Sequence, residues 1–202
     1  MVDIQVVITN LDSRYNDLFV SYLYKINKFI YSTLSTPYKT KNINFDILDS
    51  DDILNTKLLC LKMKHTQMKI GTIWQYVLGN YYNYQDLTIG HETGLDIINR
   101  TDKIIIELKN RTNTDNCSAK KTNFDKLSKF KKLNPKYLCI YGCINENDKD
   151  KTLSGSIKKI IHNNEEIYMY TGHQLLKLIL KENCDIIIKH IQNIFNDYYH
   201  SY

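Results

Sequence analysis

The chain has 202 residues, 43% of them hydrophobic and 24% charged, which suits one ordinary folded domain; with only 2 Pro and 7 Gly, a long disordered linker is not expected. A net charge of +5 fits a nucleic-acid partner, and it fits many proteins that have none. No apolar run approaches the roughly 20 residues that span a bilayer, and Met1-Val2-Asp3-Ile4 carries no basic leader, so an intracellular, cytoplasmic protein with no membrane partner is expected.

Tyr15, Leu18, Phe19, Tyr22, Leu23, Ile26 and Ile30 recur at helical spacing and predict an amphipathic helix from Asp12 to Tyr31, with Asp12 or Ser13 as its cap. Pro37 to Asn44 reads as a polar connection. Asp49-Ser50-Asp51-Asp52 looks like the start of a second helix reaching Leu61, and Thr66 to Tyr82 reads as a third, burying Ile73, Trp74, Val77 and Leu78. Gly94 to Ile98 and Ile104 to Lys109 read as two strands joined by the polar turn Asn99-Arg100-Thr101-Asp102. The turn-prone Asn110 to Asn116 follows, then a lysine-rich helix from Ser118 to Leu133 that Pro135 ends. Tyr137 to Tyr141 is a strand, Asn145 to Ser156 a loop, and Glu166 to Tyr170 a further strand. Thr171-Gly172-His173 opens a helix through Leu180, and Ile186 to Tyr198 forms the last. This order predicts an α/β fold with a mixed central sheet flanked by helices.

The five cysteines, Cys60, Cys117, Cys139, Cys143 and Cys184, are odd in number and form no C-x-x-C pair, so buried free thiols are expected rather than a zinc site. The abundance of Tyr, Asn, Ile and Lys is what an AT-rich coding sequence produces and carries no functional meaning.

The chemistry concentrates on the two central strands. Glu107-Leu108-Lys109 closes the apolar run Ile104-Ile105-Ile106, and Asp96 lies eleven positions before Glu107. Residues two apart in a strand share a face. A hairpin with its turn centred on Arg100 and Thr101 places Asp96 opposite Ile105 and diagonal to Glu107, so that Asp96, Glu107 and Lys109 share one face. A slip of one residue would undo this. Two neighbouring carboxylates repel, and a hard divalent cation offsets that cost. A structural ion-pair cluster is the competing reading.

These residues resemble the PD-(D/E)xK nuclease superfamily. The stretch Gly90-His91-Glu92-Thr93-Gly94-Leu95-Asp96-Ile97-Ile98, taken with Ile105-Ile106-Glu107-Leu108-Lys109-Asn110-Arg111-Thr112-Asn113-Thr114, is similar to a small group of type II restriction endonucleases that cut GGNCC-like sites. The likeness is densest from Gly90 to Leu127. It departs from the nominal pattern at Leu95, where a proline would stand. The glutamate that some branches carry on the preceding helix is also replaced, with Gln75 on that helix and Glu92 in the approach loop. The resemblance implies a restriction-endonuclease-like core of about residues 86–175 within a single nuclease domain of 202 residues, preceded by a helical part of about 1–85 and followed by helices of about 172–200. It implies Mg²⁺ (Mn²⁺ substituting) held by Asp96, Glu107 and the Leu108 carbonyl. Lys109 would either orient or deprotonate the attacking water, or neutralise the carboxylates.

It also implies double-stranded DNA as substrate, a homodimer matching a palindromic target, and pairing with a DNA methyltransferase. Asn110, Arg111, Asn113, Asn116, Ser118, Lys120 and Lys121 follow the catalytic strand and are the expected DNA-binding residues. The bland alternative is an Asn-rich turn and a solvated helix face, which also accounts for Lys126, Lys129, Lys131 and Lys132. Gln75 and His91 are supporting candidates, against a helix-surface glutamine and a loop histidine bonded to backbone. Two other functions stay open: a repair or junction nuclease of the same superfamily, and a DNA-binding module whose acid–lysine cluster is structural.

Overall fold

The structure, a computed structural model, describes residues 16–37, 50–88, 90–111, 116–145 and 155–200. Helices α1 (Asn16–Ser35) and α2 (Asp51–Gly79) precede strands β1 (Tyr84–Asp86), β2 (Ile97–Asn99) and β3 (Ile104–Arg111). Helix α3 (Cys117–Leu133) leads to β4 (Leu138–Asn145), β5 (Ile157–His162) and β6 (Glu165–Thr171), and α4 (Gly172–Leu180), a 3₁₀ turn (Lys181–Asn183) and α5 (Cys184–His200) complete the order. The six strands form one mixed sheet in the order β1-β2-β3-β4-β6-β5. The β3–β4 and β4–β6 pairs are parallel and the outer pairs antiparallel. This is the expected α/β architecture.

Alternation along β3 builds a core on each face. Ile104 and Ile106 point into the larger one, with Ile97, Ile140, Leu175 and the buried stripes of α1, α2, α4 and α5. Ile105 points the other way, with Ile98, Cys139, Tyr141 and Leu127, under α3. Each fully buried isoleucine contributes roughly 1.5–3 kcal/mol of transfer free energy, so both faces hold β3 rigidly in the middle of the sheet. Tyr22 and Tyr81 are wedged into the larger core, and their hydroxyls donate to the Val77 and Leu180 carbonyls at 2.9 and 3.0 Å.

Several expectations are corrected. The two helices expected over Asp49–Leu61 and Thr66–Tyr82 are one helix of 29 residues, because the polar run Lys62 to Thr66 contains no Gly or Pro to stop it. The first helix begins at Asn16 in the described residues and runs on to Ser35; Asp12 to Tyr15 and Tyr38 to Asn44 lie outside them. Strands β1 and β5 were not expected: β1 is three residues long, and β5 reads Ile-Lys-Lys-Ile-Ile-His on an edge, where apolar residues need not alternate with burial. Strand β4 extends to Asn145; of the expected Asn145–Ser156 loop, residues 146–154 lie outside the described residues.

The hairpin register also differs. Ile97 pairs with Ile106 and Asn99 with Ile104, two residues from the expected pairing. The cause is the turn: Asn99 uses its side chain to accept from the Asp102 N–H (2.9 Å) and to donate to the Asp102 carboxylate (3.0 Å), and Lys103 takes a positive φ of 56°. A four-residue turn, Arg100 to Lys103, therefore replaces the shorter one. Because the shift is even, it leaves the faces of β3 unchanged.

Candidate active site

Strand β2 begins only at Ile97, and its start decides the geometry of Asp96. Gly94 sits at φ 61°, with the Lys126 side chain against it, and turns the chain into the sheet. The Asp96 N–H then bonds the Ile106 carbonyl (3.1 Å) outside the regular ladder, and the Leu87 N–H bonds the Asp96 carbonyl (2.8 Å). Leu95 and Ile98 consequently both fall in the smaller core, which strict alternation over three residues does not allow. The parity expected for Asp96 is thus broken by a local irregularity. Its carboxylate takes over a backbone role instead: Oδ2 accepts the Leu108 N–H at 2.7 Å.

Glu107 is only 3% exposed, although it follows three isoleucines on β3. The Lys109 ammonium, two residues on and on the same face, reaches Glu107 Oε1 at 2.7 Å. Glu107 Oε2 is buried and has no hydrogen-bond partner among the described residues. The Asp96 carboxyl is pushed up to about 6, first by burial and then by the negative charge of Glu107, against the Leu108 N–H and the cations Lys109 and Lys126. The three residues singled out in the sequence are therefore brought into one electrostatic unit.

Asp96 and Lys109 of that unit line a cleft of about 310 Å³ between α2 and the C-terminal parts of β3 and β4, together with Gly71, Trp74, Gln75 and Leu108 among others. Gln75 is accordingly at the cleft, with its Nε2 donating to Asp86 Oδ1 at 2.9 Å. His91 is not among the cleft residues; its Nδ1 meets Thr93 Oγ1 (2.9 Å) and accepts the Thr93 N–H (3.3 Å), the local loop bonding named as its alternative. Glu92 is exposed in the same loop.

The residues from the end of β3 onward divide. Asn110 lines the cleft and is tied down: its carbonyl and Oδ1 accept from Asn145 Nδ2 (3.0 and 2.9 Å), and its Nδ2 donates to the Gln67 carbonyl (3.4 Å). Arg111 and Ser118 are exposed. Asn113 lies outside the described residues. Asn116 caps α3, its Oδ1 accepting the Ala119 N–H at 2.8 Å. Lys120 lies 5.9 Å over the Tyr141 ring, beside the Glu107 rung of the sheet, and Lys121 is exposed.

Sequence reasoning missed three participants. Asp86 gave no signal because β1 is too short to show a period. Asn145 opens a polar stretch that the sequence assigns to a loop, although it ends β4. Lys126 falls among lysines that the helix pattern assigns to a solvated face, yet its ammonium donates to the Gly94 carbonyl (3.1 Å) and its charge is felt by Asp96. A different set of donors, His173, Cys184 and Asp185, brings one ligand atom each within 4.8 Å where α4 and α5 meet; there His173 Nε2 already pairs with Asp185 at 3.0 Å. No helix of the described residues is long and apolar enough to cross a membrane.

No curated protein matches the chain. A family model does, and its extent agrees with the geometry: the match to the Eco47II restriction endonuclease family runs over residues 3–198, taking in both cores, the irregular start of β2 and the Glu107–Lys109 strand end. The acid pair and its lysine are thus found in a chain that belongs to the Eco47II restriction endonuclease family.

Proposed function

We propose that the protein is a type II restriction endonuclease that hydrolyses phosphodiester bonds of double-stranded DNA at a short palindromic, GGNCC-like site. In this reading it requires Mg²⁺, with Mn²⁺ as a substitute. It works as a homodimer of single nuclease domains, each subunit cutting one strand, and a DNA methyltransferase protects the host's own sites.

The observation that carries the reading is the buried Oε2 of Glu107, unpartnered among the described residues, beside an Asp96 whose carboxyl is held up to about 6. A buried carboxylate oxygen without a donor costs several kcal/mol unless something positive meets it. The donors gathered there are oxygens without a thiol, which suits a hard cation such as Mg²⁺. Asp96 and Glu107 would hold it. The Leu108 carbonyl would join them, since an extended residue directs its N–H and C=O to the same side and the Leu108 N–H already faces Asp96.

When bound, the cation polarises the scissile phosphate and lowers the pKa of the attacking water. The chain's own groups do the rest. The Leu108 N–H fixes the Asp96 carboxylate. The Lys109 ammonium, 22% exposed and hydrogen-bonded to Glu107, belongs to a residue that lines the cleft, where it would orient the water and stabilise negative charge gathering on the phosphate. Arg111, the last residue of β3, and Ser118, Lys120 and Lys121, in the first two turns of α3, would contact the DNA backbone.

The test is cleavage of plasmid and bacteriophage DNA with Mg²⁺, followed by sequencing of the fragment ends. Ends sharing one palindromic sequence, lost with Asp96→Ala, support the reading. Intact DNA across a diverse duplex panel with both metals would overturn it, and preferential cutting of branched DNA would replace it with a junction nuclease.

A further inference from the structure

Asp86 is a half-buried carboxylate that the chemistry above leaves unused, tied to the cleft through Gln75. It closes β1, pairs in register with Ile97, and is followed by Leu87, whose N–H bonds the Asp96 carbonyl (2.8 Å). Its Oδ1 accepts twice, from Gln75 Nε2 (2.9 Å) and from the Thr88 N–H (3.0 Å). The contact between β1 and α2 is close enough to demand Gly79: a Cβ there would lie 2.8 Å from the Asp86 Cβ. Asp86 is therefore fixed in place by backbone, not by a flexible loop.

The consequence falls on Gln75. A carboxylate accepts only, so the nitrogen end of the amide must face Asp86 and the oxygen end must face away. Gln75 lines the same cleft as Asp96, Leu108 and Lys109. Its Oε1 makes no hydrogen bond to any described residue. An amide free to flip would offer the cleft a donor half the time, which a cationic site would reject.

We propose that Asp86 is a positioning residue. By holding the Gln75 amide in one orientation, it makes Gln75 add a neutral oxygen to the Asp96–Glu107 pair, completing the oxygen set for a divalent cation without a third negative charge. The proposal rests on the metal-dependent reading above. It predicts that losing Asp86 has the effect of losing Gln75, because one acts only through the other.

The experiment is calorimetric titration of the DNA-free protein with Mn²⁺, with a thermal melt of each variant and Mn²⁺-dependent cleavage as a second readout. Asp86→Ala and Gln75→Ala should each weaken Mn²⁺ binding about 10-fold, the usual scale for an outer partner of a metal ligand. The double variant should be no weaker than either single one. In cleavage the Mn²⁺ concentration for half-maximal rate should rise by the same factor while the DNA KM stays put. Asp86→Leu, which keeps the branched shape against Gly79, carries the same expectation should the alanine variant not fold. Unchanged Mn²⁺ affinity in a folded Asp86 variant, or losses that multiply in the double variant, would overturn the inference and leave the nuclease reading standing. A wild-type protein that binds no Mn²⁺ would overturn both.

Discussion

Two places in this protein bury polar atoms that no described neighbour satisfies, and they are built differently. On the buried faces of helices α1 and α5 stand Asn27, with an Oδ1 unpartnered among the described residues, and His190, 1% exposed with neither ring nitrogen bonded. In the middle of β3 lies Glu107, with its Oε2 unpartnered among the described residues. Asn27 is uncharged, and burial holds the His190 imidazole below its ordinary pKa, so both helical residues sit neutral inside an apolar layer. Glu107 is paired with Lys109, faces the charge of Asp96, and belongs to a unit that opens on a cleft. An orphaned polar atom alone is a local cost. It points to a ligand when its neighbours are charged, convergent and reachable from solvent.

Activity separates the two places most sharply. Glu107→Gln and Lys109→Ala should each lower DNA cleavage roughly 10³-fold or more in a plasmid assay, whereas His190→Leu should leave the rate per folded molecule within about 2-fold. Stability comes next. The Asp96 carboxyl is raised from 3.8 to about 6, so its contribution to folding is complete below the unfolded value and is lost as pH rises through about 6. Above that pH the ionised group costs about 3 kcal/mol. Asp96→Asn, which keeps an acceptor for the Leu108 N–H, should therefore raise the metal-free melting temperature at pH 8 and leave it nearly unchanged at pH 4.

His190 has the opposite sign. Its folded pKa is lowered, so its stability contribution is full above about 6.5 and falls as pH drops below that, by at most about 1.4 kcal/mol per pH unit. That slope between pH 6.5 and 5 should flatten in His190→Leu, as read by urea melts. The smallest effect separates capping from DNA contact. Asn116→Ala should cost about 1 kcal/mol by loss of the α3 cap, with no change in the salt dependence of DNA binding. Arg111→Ala should do the reverse, reducing the salt slope by about 1.

Much of the site was legible because its signals are local. An apolar run that ends in Glu107-Leu108-Lys109 states its own burial and face, and both hold. The first helix and the helix before Pro135 also follow from spacing, to within a few residues at their ends. The details that failed depend on atoms far apart in the chain. The register was set by Asn99 bonding across its own turn to Asp102, which hydrophobic pattern does not encode. The parity of Asp96 gave way to a backbone bond to Ile106 that exists only once Gly94 has turned the chain. Asp86 acquires its role from Gln75, on a different element, and from the close approach that Gly79 permits.

Crystals soaked in Mn²⁺ and measured for anomalous scattering would locate the cation without reference to activity. One peak per chain between Asp96 and Glu107, absent in Glu107→Gln, is the expected result. A peak at His173, Cys184 and Asp185 with none at the β3 strand end would contradict the assignment of the acid pair as the metal site.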